Sequence, residues 1–491
     1  MNTSTRVMRS TTFAAICGLT LAAGMAGVPA VLELAPAATA QAQEQAPTID
    51  FKATGSINIH KRAGTAGEAH DTGNENQKAP GNPLEKAGFT VWKVNVPFSN
   101  TAEVQAAQKL TTAEAADKLG ERQGDEKLTD SNGVATFDNL PVGVYYVKET
   151  TVPQGHVPGA PFLVFVPMTN PDTLTGWNYH VHVYPKNSEN KAEKAVTDAD
   201  QNVGDVITYA ITSDLPKPVA GGMISKYEVV DTLDPRVEVT PDDISVAFND
   251  GTEISRDNYT ATVENNVAKV VFNEQGLKLL TDNVDKRLVT TIKAKVKEIG
   301  DGSSEIKNQA TVISNNGAGS GDTTVPTNEV KTHYGKLKVL KHDKDGAPLK
   351  DATFELYRCE NQATLGGKIS INGTDTWTTG ADGTLLIDGL HVTDVENNDK
   401  LIGKKYCLKE TKAPAGYELL PAPIEFTFTR EDIAATGEDD AVTLTKKVEN
   451  VKSVTPQLPL TGGAGIGLIV GLGALIIGAG AWYAKRNTNR G

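Results

Sequence analysis

Short stretches in which hydrophobic and polar residues alternate recur along the chain. Ile57–Ile59 and Leu337–Val339 place apolar residues at every second position, which is typical of a β-strand that buries one face. Similar apolar or alternating stretches lie at Val206–Ile211, Tyr227–Val230, Ala268–Phe272 and Leu288–Val296. Because turn-forming residues separate these stretches, the pattern predicts an all-β protein built from β-sandwiches.

The first and last thirds of the chain contain the same order of segments. The first third contains GSINIHKR, PLEKAGFTVWKV and GVATFDNLPVGVYYVKETTVPQGH. The last third contains GKLKVLKHD, PLKDATFELYRC, GTLLIDGL and KKYCLKETKAPAGY. This internal repeat predicts two copies of one arrangement of strands. In the first copy, residues 101–127 are rich in Ala, Glu, Gln and Lys, which predicts a helical insertion.

The N-terminal residues have the pattern of a secretory signal peptide, which we place at 1–42. Arg6 and Arg9 precede an apolar run at 12–28, and the small residues at 38–42 offer a cleavage site. Cys17 falls inside this segment. A lipoprotein cysteine is the rival interpretation, but the residues before Cys17 lack the usual small-residue pattern.

The C-terminal residues 454–491 combine a short motif, an apolar run and a basic tail. The motif is Leu458-Pro459-Leu460-Thr461-Gly462, the apolar run covers about 463–484, and Lys485 and Arg486 follow. A run of this length can span a bilayer as a helix, and the basic residues would stay on the cytoplasmic side.

Composition narrows the class of protein. The formal net charge of −13 argues against nucleic-acid binding, which needs a basic surface. Length between the two terminal signals suits about two to four domains. Cys359 and Cys407 are the cysteines left after removal of the signal peptide. An exported pair can form a disulfide, and two free buried thiols are the alternative.

The C-terminal motif, apolar run and basic tail together resemble the sorting signal that sortases read on Gram-positive surface proteins. That resemblance implies cleavage between Thr461 and Gly462 and transfer of Thr461 to an amine, so that the membrane helix is a transient tether. An ordinary membrane anchor with a chance motif is the alternative.

The segment WNYHVHVYPK, residues 177–186, resembles the pilin motif of sortase-assembled pili. Alternation places His180 and His182 opposite Val181 and Val183, and we see no third ligand that would make the histidines a metal site. The resemblance implies that a pilin-class sortase joins Thr461 of one subunit to Lys186 of the next. An ordinary exposed lysine is the alternative. The matching positions are Trp177, Val181, Val183, Tyr184, Pro185 and Lys186.

A chain with both an acceptor lysine and a sorting signal resembles the shaft pilins, more narrowly those of the corynebacterial Spa type. The implied partners are identical subunits joined head to tail, minor tip and base pilins, a housekeeping sortase and the peptidoglycan of the cell wall. The implied role is structural, in a secreted cell-surface pilus that supports adhesion to host surfaces. A monomeric wall-anchored adhesin and a surface enzyme are the alternatives.

The repeated thirds resemble CnaB-type immunoglobulin-like domains, which we place at 43–187 and 334–453. The middle third, 188–333, contains KAV, VGDVITYAITSDLP, YEVVDTLDP and EIKNQATV, and resembles the CnaA type. The resemblance implies three tandem immunoglobulin-like sandwiches in the order CnaB–CnaA–CnaB.

The sequence at 406–417 matches the E-box of these domains, and 145–156 is a looser copy. In these families a lysine and an asparagine form an intramolecular amide beside an acid. Apolar burial lowers the pKa of a lysine, which makes it a nucleophile, and raises that of a carboxyl. The implied sets are Lys61, Asn187 and Glu149; Lys194, Asn308 and Asp231; and Lys341, Asn450 and Glu410.

Three alternatives remain open for these sets. Lys191 and Asn328 compete for the roles of Lys194 and Asn308, and each set could instead be a buried cluster satisfied by hydrogen bonds. Asn187 also adjoins Lys186, so the first crosslink could be coupled to polymerisation. We find no zinc spacing, phosphate loop or Ser-His-Asp signature, and therefore expect no cofactor, no metal and no turnover chemistry.

Overall fold

The computed structural model describes residues 48–64, 73–75, 79–169, 176–219, 221–299, 303–400, 403–434 and 443–453. The expected signal peptide and sorting signal, including Leu458–Gly462, lie outside these residues. No helix within the described ranges has both the length and the apolar character needed to cross a membrane. Strands dominate the described chain, which confirms the all-β fold class.

Two facing sheets form the core of the first third. The strands are Thr54–His60 (β1), Arg62–Ala63 (β2), Asn82–Pro83 (β3), Gly88–Val94 (β4), Leu119–Arg122 (β5), Lys127–Leu128 (β6), Val134–Pro141 (β7), Gly143–Thr151 (β8), His156–Val157 (β9), Phe162–Val166 (β10), Met168–Thr169 (β11), Trp177–Asn178 (β12), His180–Val183 (β13) and Lys186–Glu189 (β14). The two core sheets have the strand orders β13–β1–β7 and β10–β8–β4–β5, with β6 beside β4. Smaller sheets have the orders β3–β2–β14–β9 and β11–β12.

The helical insertion is confirmed in its first part only. Helices α1 (Thr101–Ala107) and α2 (Thr112–Ala116) cover one outer face of the first third, where Val104 and Ala115 are buried. Thr111 begins α2 with a reciprocal capping box. The expectation of helix through residue 127 was wrong, because β5 and β6 pair with β4 as edge strands.

The middle third is a sandwich of two five-stranded sheets. The elements are Ala192–Thr197 (β15), Val206–Asp214 (β16), Lys226–Thr232 (β17), Val237–Glu238 (β18), Ile244–Phe248 (β19), Tyr259–Glu264 (β20), Val267–Phe272 (β21), Glu274–Thr281 (α3), Arg287–Val296 (β22), Glu305–Asn308 (β23), Ala310–Asn315 (β24) and Thr323–Pro326 (β25), with 3-10 turns at Pro241–Asp243 and Arg256–Asn258. The sheet orders are β15–β16–β22–β18, with β19 beside β22, and β20–β21–β17–β24–β25. All four stretches predicted in this third are strands.

The last third repeats the two-sheet arrangement of the first. The elements are Val330–His342 (β26), Thr353–Asn361 (β27), Thr364–Lys368 (β28), Trp377–Thr378 (β29), Thr384–His391 (β30), Val395–Glu396 (β31), Asp399–Lys400 (β32), Lys405–Lys412 (β33), Ile424–Phe426 (β34), Arg430–Ala434 (α4) and Thr443–Glu449 (β35). One sheet has the order β23–β26–β30, with β35 beside β26, and the other has the order β28–β27–β33–β34, with β29 beside β27. Strands β31 and β32 form a small separate sheet. A disulfide joins Cys359 of β27 to Cys407 of β33.

In both repeated thirds, a strand from the start of the sequence pairs in parallel with one from its end. β1 pairs with β13, β2 with β14, and β26 with β35. Parallel partners cannot be joined by a tight turn, and in each of these pairs most strands of the third lie between the two partners in sequence. This pairing brings residues far apart in sequence to one side of the sandwich.

The middle and last thirds share one continuous hydrophobic core, and β26 pairs with strands of both. A buried ion pair crosses the same junction, because His391 Nε2 lies 3.1 Å from Asp198 Oδ2. Asn397 and Asp198 also exchange two backbone-to-side-chain hydrogen bonds. Burial raises the pKa of Asp198, but the contacts with His391, Thr332 and Asn397 together outweigh it, and the pKa lies below the ordinary value.

We expect Asp198→Asn to lower the free energy of unfolding at neutral pH by about 3 kcal/mol, because it removes the carboxylate that faces the buried ring nitrogen of His391 and accepts from Asn397 N. A carboxyl with a depressed folded-state pKa stabilises fully above the ordinary value near 4 and loses this contribution as the pH falls through the folded-state pKa. The free energy of unfolding of the variant should therefore fall less steeply with acid than that of the unmodified protein. Urea unfolding at several pH values, followed by circular dichroism, measures both effects.

Asp200→Asn is the matched control, because Asp200 is a half-exposed carboxylate of the same loop. Asp200→Asn should lower the free energy of unfolding by less than about 1 kcal/mol. Equal losses in the two variants would contradict a special role for the buried pair.

Candidate functional site

In the first third, a buried lysine, acid and asparagine meet between the two sheets. Lys61 lies between β1 and β2, Glu149 on β8 and Asn187 on β14. Lys61 Nζ donates to Glu149 Oε2 at 2.7 Å, and Asn187 Nδ2 donates to Glu149 Oε1 at 2.7 Å. The parallel pairing of β2 with β14 brings the two chain ends together. We call these three residues the first cluster.

The middle cluster consists of Lys194 on β15, Asp231 on β17 and Asn308 at the end of β23. All three are buried. Lys194 Nζ contacts Asp231 Oδ2, and Asn308 Nδ2 lies 3.4 Å from the same oxygen. The amine of Lys194 therefore faces the acid inside the sandwich.

The competing residues of the middle third lie elsewhere. Asn328 exchanges two 2.9 Å hydrogen bonds with the backbone of Lys194, not with its amine. Lys191 is exposed. The geometry thus brings Lys194 and Asn308 to the acid, and gives Asn328 the task of aligning the start of β15.

The last cluster consists of Lys341 on β26, Glu410 on β33 and Asn450 just after β35. Lys341 Nζ contacts Asn450 Oδ1 and lies 3.4 Å from Glu410 Oε1. Asn450 Nδ2 donates to both oxygens of Glu410, at 3.0 and 3.1 Å. The backbone N–H of Asn450 donates to His342 O at 3.0 Å, which fixes the asparagine beside the end of β26.

The environment of all three lysines favours the neutral amine. Burial lowers the pKa of each one, although the adjacent carboxylate acts in the opposite direction. A lowered pKa raises the fraction of neutral amine, which is the nucleophilic form. Each amine also lies over an aromatic ring, namely Lys61 over Phe89 at 5.5 Å, Lys194 over Tyr209 at 4.8 Å and Lys341 over Phe354 at 5.8 Å.

The segment 177–186 leads directly to the first cluster. Val181 and Val183 are buried on β13, and Lys186 begins β14 as a half-buried residue next to Asn187. The hydroxyl of Tyr184 donates to the backbone oxygens of Asn74 and Glu75. Tyr184 thereby holds residues 74–75 beside the strand that carries the lysine, a role that the motif alone did not reveal.

Histidines line the other face of the same strand. His182 Nδ1 lies 2.8 Å from His60 Nε2, and His180 Nδ1 lies 3.0 Å from Ser56 Oγ. Within the part of the chain that the structure describes, no three or more His, Cys, Asp or Glu residues are grouped as metal ligands would be. The partner of His182 comes from β1, so spacing along β13 could not identify it.

Comparisons with known proteins match two parts of the chain to domains of known families. Residues 52–188 match the N-terminal D1 domain of the Gram-positive pilin subunit, and residues 335–441 match the SpaA prealbumin-like fold domain. The full-length major pilin SpaD from Corynebacterium diphtheriae is 39% identical, with a TM-score of 0.71, over 83% of this chain and 99% of that chain.

Two further relatives extend the comparison. The major pilin SpaA from Corynebacterium diphtheriae, whose structure points to a modular pilus assembly stabilizing isopeptide bonds, is 26% identical, with a TM-score of 0.61, over 80% of this chain and 99% of that chain. The fimbrial subunit type 1 of Actinomyces viscosus is 32% identical over 96% of this chain and 98% of that protein. The chain therefore belongs to the family of Gram-positive pilins, the subunits of surface fimbriae.

Proposed function

We propose that the chain is the shaft subunit of a covalent cell-surface pilus. In this proposal a pilin-class sortase joins Thr461 of one subunit to Lys186 of the next, and the mature subunit has three domains, at 43–187, 188–333 and 334–453. Tip and base pilins complete the filament, a housekeeping sortase attaches it to peptidoglycan, and the filament supports adhesion to host surfaces.

The position of Lys186 supports its role as the acceptor. Pro185 lacks a backbone N–H and therefore interrupts the strand ladder before the lysine. Lys186 is only half-buried, whereas the lysines of the three clusters are buried. An enzyme can thus reach Lys186 without unfolding the sandwich. A chain that is both donor and acceptor forms an open head-to-tail filament.

The observation that carries the proposal is that each third buries one lysine beside one acid and one asparagine. We propose that each cluster reacts once, by itself. The neutral lysine amine attacks the asparagine Cγ, the acid passes the proton from the lysine nitrogen to the leaving nitrogen, and ammonia departs. The product is a Lys–Asn amide in each domain, and the reaction is not repeated because it consumes the lysine and the asparagine.

In the last domain, this amide would carry tension past most of the sandwich. In the last third, the pulling force enters along β26 and leaves through β35, which is parallel to it. A bond between Lys341 and Asn450 connects residues that are 109 positions apart. The intervening strands would then bear little of the load. In the first third, the proposed joint at Lys186 adjoins Asn187, so tension would enter beside the Lys61–Asn187 bond. That bond would hold the parallel strands β2 and β14 together at the joint.

We expect Lys186→Ala to abolish polymers. Cells that make this variant should release the chain from the wall as a monomer, because it can be a donor but not an acceptor. The ladder of high-mass species in wall extracts measures the result. Lys191→Ala, which changes an exposed lysine of the same junction, should leave the ladder intact. A ladder that persists in Lys186→Ala would contradict the assignment and favour a different acceptor or a monomeric adhesin.

Digestion of the full-length chain should yield three linked peptide pairs, each lighter than the sum of its two peptides by one ammonia. Glu410→Ala should remove only the Lys341–Asn450 pair. The loss should lower the free energy of unfolding by roughly 4 kcal/mol, since the bond closes a long loop. Mass spectrometry and chemical unfolding measure these results. Glu418→Ala, at an exposed carboxylate nearby, should change neither, and unlinked peptides in the unmodified protein would disprove the crosslinks.

A further inference from the structure

One peptide group connects the middle third to the first cluster. The carbonyl of Pro158 accepts a hydrogen bond from Asn316 Nδ2 at 2.9 Å. The N–H of Gly159, which belongs to the same peptide group, donates to Asn187 Oδ1 at 3.3 Å. A side chain of the middle third therefore acts, through a single planar peptide, on the carboxamide that the proposed first crosslink consumes.

The side chain of Asn316 is itself held in place. It is 3% exposed, its Nδ2 also lies 3.3 Å from Lys217 O, and its Oδ1 accepts from Ala318 N at 3.2 Å. An asparagine with its donor and acceptor both engaged inside the protein has one orientation. It can thus fix the plane of the Pro158–Gly159 peptide group.

The loop that carries Asn316 also lies against the strand that supplies the acid. A Cβ on Gly321 would lie 3.0 Å from Thr150 O, and one on Gly319 would lie 3.9 Å from Lys148 Nζ. These two residues flank Glu149 on β8. Gly155 N also donates to Thr324 O at 2.9 Å. The loop 316–321 therefore lies beside the chain neighbours of Glu149, and it reaches Asn187 through the Pro158–Gly159 peptide.

We propose that Asn316 is a positioning residue for the first crosslink, so that the Lys61–Asn187 bond forms rapidly only when the middle third has folded and docked. This inference rests on the proposed self-crosslinking. It makes the first domain the one whose reaction depends on its neighbour in the chain.

The chemistry explains why the Gly159 N–H matters. When neutral Lys61 Nζ attacks Asn187 Cγ, the carbonyl electron pair moves onto Oδ1. A fixed N–H donor at that oxygen stabilises the developing negative charge. The proton lost from Nζ passes through Glu149 to Nδ2, the Cγ–Nδ2 bond breaks, and ammonia leaves. Asn316 polarises the same peptide from its carbonyl end and strengthens the donor.

The other two clusters have no such link and serve as internal references. Within the described residues, Asn308 Oδ1 has no hydrogen-bond partner, and Asn450 Oδ1 contacts Lys341. Their crosslinks should form at rates that do not depend on Asn316.

The test measures how fast each bond forms after the full-length chain is synthesised. Cells receive a short pulse of heavy-isotope amino acids, and the labelled linked peptides are quantified over time by mass spectrometry. Asn316→Ala should slow the Lys61–Asn187 bond roughly tenfold and leave the other two bonds unchanged. Gly159→Pro, which removes the N–H itself, should slow it about a hundredfold, whereas Gly159→Ala keeps the donor.

Asn283→Ala is the matched control, because Asn283 is an asparagine of the middle third whose Nδ2 donates to Leu279 O at 2.9 Å, outside the loop 316–321. It should leave the first bond unaffected. The rate should be measured at several pH values. A lost positioning contact lowers the rate by one factor at every pH. A loosened first domain would instead hydrate Lys61 and shift the whole profile to higher pH.

The possible outcomes distinguish failure of the Lys61–Asn187 crosslink from failure of the positioning role of Asn316. If the unmodified chain never forms the Lys61–Asn187 pair, the proposed crosslink in the first domain fails, and this inference fails with it. If the unmodified chain forms it and Asn316→Ala forms it equally fast, only the inference is overturned. It is also overturned if the pH profile shifts, or if Asn283→Ala slows the bond as much.

Discussion

The burial of a lysine amine beside a carboxyl and a carboxamide is the constraint on which the rest of this structure depends. A buried charge is expensive unless a partner neutralises it, so each lysine must meet its acid inside the sandwich. That requirement is met three times, by Lys61, Lys194 and Lys341, each with an aromatic ring beneath the amine. The parallel pairing of strands from the two ends of each repeated third supplies the third member, the asparagine. An amide between lysine and asparagine would replace the titratable amine by a neutral group that needs no counter-charge.

The thirds of the chain are joined in two different ways. The middle and last thirds share a hydrophobic core, the long strand β26 and the ion pair between Asp198 and His391. The first third has hydrophobic clusters of its own, and it meets the middle third through polar contacts such as Asn316 to Pro158. A polar contact adds less stability than a shared core, but it has a defined direction. It is therefore suited to orienting a reacting group, and the proposed dependence of the first crosslink on its neighbour uses that property.

Local pattern was enough for the fold class, and the resemblance to known domains and motifs pointed to the residues of the clusters. A strand with one buried face has a period of two, so stretches such as Val206–Ile211 could be assigned without knowing their partners. The E-box at 406–417 and the segment 177–186 are continuous in sequence, and they located Glu410 and Lys186. The helical insertion was overextended because composition reports helix propensity, whereas pairing with β4 decided that Leu119–Arg122 is a strand. Propensity is a weak signal that tertiary contacts override.

The sequence by itself determined the all-β architecture, the repeat and the types of residue that the clusters contain. Tertiary structure alone decided which lysine and asparagine of the middle third meet Asp231, that Tyr184 holds residues 74–75, and that His391 pairs with Asp198. It also decided that Asn316 contacts the peptide next to the first cluster. These contacts join loops and strands that are far apart in the chain, and a single polar residue in a loop has no periodic neighbours to mark it. Periodicity encodes which face of an element is buried, but the partner on the other side is set by how the sheets and loops pack together.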